Sequence, residues 1–64
     1  MDLKLGDIVV HADVPNIVHL ILEIDSKTKI FKTFVLSHYY KECVGEKFYF
    51  SDFEDYVRLK DMKL

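Results

Sequence analysis

The phrase Leu5-Gly6-Asp7-Ile8-Val9-Val10-His11, followed after a short interruption by a second apolar run over residues 17–24, constrains the fold of this chain more than any other feature. Three successive β-branched residues are poor helix material and pack well on a pleated surface. A Gly-Asp turn ahead of them, in a chain with only two Gly and one Pro, marks a first strand over residues 7–11. In Ala12-Asp13-Val14-Pro15-Asn16, Pro15 removes a backbone donor and holds Val14 extended, while Asn16 tolerates turn geometry, so a loop follows.

Residues 17–25 alternate with a period of two. Val18, Leu20, Leu22 and Ile24 share one face, predicted to be the core face, and His19, Ile21 and Glu23 share the other. Asp25-Ser26-Lys27-Thr28 then reads as a hairpin turn, because Asp and Ser side chains close turns onto the backbone. A third strand over residues 29–36 is apolar on both sides, with Ile30, Phe34 and Leu36 on one face and Phe31, Thr33 and Val35 on the other. The pattern lapses from Ser37 to Glu46, where Leu36, Tyr39, Tyr40 and Cys43 also fall at helical spacing. Loop is the preferred reading there, with Gly45 as the turn residue before a fourth strand over residues 47–50. Residues 51–55 carry an N-cap candidate and early acids, predicting a single 3-10 turn ahead of a last strand over residues 56–59. The expected fold is all-β: one domain over residues 1–64, with five short strands forming a small barrel.

That order of elements resembles the SH3-like barrels. The KOW, Tudor-like and photosystem-subunit-like groups open on a phrase similar to Gly6-Asp7-Ile8-Val9-Val10-His11. They continue with an apolar strand ending in an acid, here Val18-His19-Leu20-Ile21-Leu22-Glu23-Ile24-Asp25, and close on a turn and short strand, here Ser51-Asp52-Phe53-Glu54-Asp55-Tyr56-Val57-Arg58-Leu59. His19 stands about where the KOW pattern has Gly. The resemblance implies a scaffold and transfers no functional residue, because this fold hosts many unrelated functions. Short chains of this kind look like the small accessory proteins common in phage and bacterial genomes.

Sixty-four residues bury only about 60% of the surface the unfolded chain exposes, so such a domain is marginal unless a disulfide, a metal, a partner or unusually good packing adds to it. The single Cys43 excludes an internal disulfide. A net charge of −2 gives no general attraction to nucleic acid or anionic lipid. His19 and Glu23 interrupt the longest apolar stretch well short of the roughly 20 residues a membrane span requires. The start Met1-Asp2-Leu3-Lys4 lacks the features of a secretory signal, which predicts a cytoplasmic setting.

Candidate chemistry is sparse. His11, His19 and His38 could hold zinc only if the fold gathered them, since none has ligand spacing, so neither a metal site nor a cofactor is expected. Cys43 lies between Glu42 and Val44, a poor setting for a thiolate nucleophile. Asp52, Glu54 and Asp55 read as a solvated acidic turn, and no catalytic residues are expected. Binding is the stronger expectation. Ile21, Phe31 and Val35 form an apolar stripe predicted on the barrel's outside, and with Tyr39 and Tyr40 they are the candidate surface for a protein partner or for self-association. Phe50, Tyr56 and the tail from Leu59 to Leu64 are the groups that could cover the stripe instead. Lys27, Lys29 and Lys32 along the second hairpin, near aromatic side chains, are the alternative, a nucleic-acid surface. His38, Tyr39, Tyr40 and Phe53 could also crowd into a cage for a cationic side chain.

Overall fold

The computed structural model describes residues 3–51 and 53–62. Five strands, β1 (Ile8–His11), β2 (Val18–Asp25), β3 (Ile30–Ser37), β4 (Lys47–Phe50) and β5 (Tyr56–Arg58), form one antiparallel sheet in the order β4-β3-β2-β1-β5. The sheet is open. Neither β4 nor β5 has a second neighbour, so the expected closure into a barrel is not made. Two 3-10 helices, Lys41–Cys43 and Leu59–Asp61, complete the described elements. Between β4 and β5, where a 3-10 turn was expected, a single β-turn is closed by the Tyr56 N–H donating to the Phe53 carbonyl at 2.9 Å.

Turns follow from local acceptors. Gly6 takes φ +86° while the Asp7 carboxylate accepts the Lys4 N–H at 2.8 Å, which sets the chain into β1. At the end of β1, His11 Nδ1 accepts the N–H groups of Asp13 and Val14, both at 3.1 Å. At the end of β2, Asp25 Oδ1 accepts those of Lys27 at 2.9 Å and Thr28 at 3.3 Å. The hairpin loop extends one residue further than expected, because Lys29 adopts φ 58° and β3 begins at Ile30. After β3, His38 Nδ1 accepts the Tyr40 N–H at 3.0 Å. Gly45, at φ +86°, donates to the Val35 carbonyl at 2.8 Å, and Val35 donates to Glu46 O at 2.9 Å. Two residues there oppose one, which is a glycine β-bulge leading into β4.

The core lies on the face opposite to the one alternation predicts. Val9, His19, Ile21, Thr33 and Val35 are all at most 2% exposed, and Phe53 covers them together with Leu3, Phe31, Phe50 and Tyr56. Of the residues expected to be the core face of β2, Val18 and Leu20 point to the other side. Register shifts explain the rest: Leu22 and Leu36 have no cross-strand partner, and beyond Leu22 the alternation slips so that Ile24 pairs with Phe31.

Candidate functional site

Ile21, Phe31 and Val35 are corrected from an outer stripe to inner-face residues. Ile21 and Val35 are buried and Phe31 is half-buried, its ring edge-on to Phe53 at 4.8 Å. Phe50 and Tyr56, the alternative cover, pack against this core. Of the tail, Lys63 and Leu64 lie outside the described residues. An inward Ile21, Phe31 and Val35 cannot join the exposed Tyr39 and Tyr40 in one docking surface.

The inner face is built around a histidine. His19 is 2% exposed, its Nδ1 lies 2.9 Å from Thr33 Oγ1, and the rings of Phe50, Tyr56 and Phe53 stand edge-on to it at 5.0, 5.4 and 6.4 Å. Burial, with a smaller contribution from repulsion by His38, lowers its pKa to about 4, so the ring is neutral near neutrality. Burial, then the neighbouring Asp55 carboxylate, raises the Tyr56 phenol. Every buried side-chain nitrogen and oxygen among the described residues has a hydrogen-bond partner. His19 is thus a buried, hydrogen-bonded member of the core.

Tyr39 and Tyr40 are each more than half exposed and stack with His38, at ring separations of 4.7 Å for Tyr39 and 5.6 Å for Tyr40. The cage does not assemble, since Phe53 belongs to the core. Nor do the histidines converge. The Nδ1 of His11 and that of His38 accept from the backbone of their own turns, that of His19 pairs with Thr33 on β3, and no three His, Cys, Asp or Glu side chains cluster among the described residues. Glu54 and Asp55 are exposed on the turn before β5, while Asp52 lies outside the described residues.

Lys27 and Lys29 are exposed on the β2–β3 loop; Lys27 lines an open groove of about 750 Å³ with Glu23, Asp25, Lys32 and Tyr49, and Lys29 lines a second one with Asp25 and Glu54. Lys32 lies 3.8 Å from Glu23 Oε2 and 6.0 Å from the centre of the Tyr49 ring. Asp25 is held below the ordinary carboxylate range by the backbone N–H groups of Lys27 and Thr28 and by the Thr28 hydroxyl. The three lysines are therefore interleaved with carboxylates. Arg58, the one arginine, is bound to Asp61 at 2.8 Å.

What alternation hides is the outer face of the sheet. The register aligns Val57, Val10 and Val18 in one row across β5, β1 and β2, and Ile8, Leu20 and Phe34 in a second across β1, β2 and β3. Val10 is buried in the middle, Val18, Leu20 and Phe34 are half-buried, and Ile8 and Val57 are exposed. The second row ends at Lys47, and the Glu23, Lys32 and Tyr49 group flanks it. The signal for this face is present in the sequence, as the set Val18, Leu20, Phe34, but alternation alone assigns it to the inside.

Among the described residues no helix is long and apolar enough to cross a membrane. No family model matches the chain, and neither a curated protein nor a solved structure shows significant similarity to it.

Proposed function

We propose that this chain is a small SH3-like interaction module with no catalytic site of its own, binding the apolar surface of a protein partner through its outer sheet face. The fold assignment is supported by the β1–β4 meander, by the return of β5 to pair with β1 and by the tight β2–β3 hairpin. One observation carries the functional reading. The inner face already furnishes a satisfied core, yet the outer face presents two further uninterrupted apolar rows, Val57-Val10-Val18 and Ile8-Leu20-Phe34. An apolar centre with Lys47, Lys32 and Glu23 at its margin has the anatomy of a protein interface, whose centre is depleted in charge and whose rim is polar. Nucleic acid is the second class of ligand to test, and the carboxylates between Lys27, Lys29 and Lys32 weigh against it.

The test compares the wild type with Ile8→Glu and Val57→Glu, both at exposed positions so that folding is preserved, and with a Lys27→Glu/Lys29→Glu double variant. A protein identified after capture, then purified, should bind wild type and the lysine variant equally and lose at least ten-fold in affinity to either outer-face variant. Unchanged affinity at Ile8→Glu and Val57→Glu, or salt-sensitive retention on single-stranded DNA that the lysine variant abolishes, would overturn the proposal.

A further inference from the structure

The open sheet leaves β4 as an edge strand, and its residues define what can pair with it. Phe48 and Tyr49 are 38% and 70% exposed, and the strand contains no proline or bulge. Because Glu46 turns its carbonyl to β3, strand alternation turns the backbone groups of Phe48 and Phe50 to β3 and those of Lys47 and Tyr49 outward. An edge of this kind accepts another strand unless something blocks it.

We infer that the occupant is β4 of a second copy of this chain, paired antiparallel about a twofold axis at Phe48. In that register Lys47 faces Tyr49 of the second copy, and Tyr49 faces its Lys47. Both outward-turned residues are then used twice, and four backbone hydrogen bonds form within the strand. Side-chain chemistry selects the same register. Lys47 and Tyr49 share the outer face, where Tyr49 already receives the Lys32 ammonium, so Lys47 of the second copy meets an aromatic ring. Phe48 meets Phe48 in the closer, non-hydrogen-bonded pair, an aromatic cross-strand contact on the inner face. A slip by two residues one way sets Lys47 against Lys47, which repel. The opposite slip pairs Lys47 with Ser51, beyond the end of β4, and forfeits half the bonds. The result is a continuous ten-stranded sheet, and it depends on the open edge rather than on the outer-face reading above.

Two measurements on the full chain test this. In light scattering the wild type should show twice the mass of one chain, and Tyr49→Pro, which deletes an outward N–H and leaves the β3 ladder intact, should halve it with unchanged circular dichroism. In a Cys43→Ser background, Phe48→Cys should cross-link on mild oxidation, since facing Cα atoms lie about 4.5 Å apart, within disulfide reach. Tyr49→Cys should not, because the register sets the two copies of residue 49 more than about 7 Å apart. A wild type that stays monomeric at millimolar concentration overturns the inference, as does cross-linking at residue 49 rather than 48. A dimer lost in Ile8→Glu but kept in Tyr49→Pro also overturns it, while leaving the outer-face reading standing.

Discussion

Acidification from neutrality to about pH 4 is expected to destabilise this fold through one buried ring. In the folded chain the pKa of His19 is about 4 against an ordinary 6.5, because protonation would place a buried charge among Phe50, Phe53 and Tyr56, with a smaller repulsion from His38. Folding thus favours the neutral ring. The resulting stability is fully present above pH 6.5, falls as the unfolded chain takes up a proton that the folded chain does not, and is gone once the pH has passed below about 4. At about 1.4 kcal/mol per pH unit the window is worth about 3 kcal/mol, against the roughly 3 to 10 kcal/mol typical of a domain this small. Urea titrations across the window give the slope directly, and the His19 ring resonances should not titrate until the pH is well below 6. Asp25, whose carboxyl is also lowered, acts only below its ordinary value of 3.8 and so stays outside the window. His19→Leu should remove about one proton's worth of slope. A wild type whose stability is flat between pH 6.5 and 4, or a His19→Leu chain that keeps the full slope, refutes the reasoning.

Thr33→Val keeps the shape of the buried side chain and deletes the hydroxyl bonded to His19 Nδ1. Leaving that nitrogen unsatisfied should cost about 1–3 kcal/mol in urea unfolding at neutral pH, and an unchanged midpoint would count against a structural role for the pair. Lys29→Gly relieves a left-handed backbone at φ 58° that disfavours a side chain. It should raise stability by about 0.5–1 kcal/mol, with a destabilised variant showing that the Lys29 side chain holds the loop.

The number of strands and most of their limits were legible, because turn chemistry and β-branched runs are local. Gly6 and Gly45 stand at left-handed positions, and Pro15 lies in the loop between β1 and β2. Which side faces inward was not legible. On β2 the apolar count favours Val18, Leu20 and Leu22 over His19 and Ile21, and on β3 both faces are apolar. The choice fell instead to what arrives from elsewhere, the aromatic cover of Phe50, Phe53 and Tyr56, which packs edge-on around His19. Periodicity also assumes an unbroken ladder, and the unpaired Leu22 and Leu36 break it. The capping role of His11 and His38 left a faint trace, since Asp25 accepts in the same way from the N–H two residues on. An imidazole doing the work of an aspartate at a turn is hard to anticipate from composition.

The pairing of β1 with β5 joins Val9 to Arg58, almost from one end of the chain to the other, whereas β2, β3 and β4 each meet a neighbour in sequence. Closing so long a loop costs about 1 kcal/mol more entropy than closing the β2–β3 hairpin, which favours the hairpin as the earlier contact. The β2–β3 hairpin, pinned by Asp25 and by the His19–Thr33 bond, can form while the rest of the chain is still mobile. β5 and its Tyr56 are then expected to dock last. Kinetic analysis should accordingly find that substitutions at Thr33 slow folding, whereas substitutions at Tyr56 mainly accelerate unfolding. Before that docking the Tyr56 side of His19 has no cover, so a proton taken up there would have to leave before the core closes.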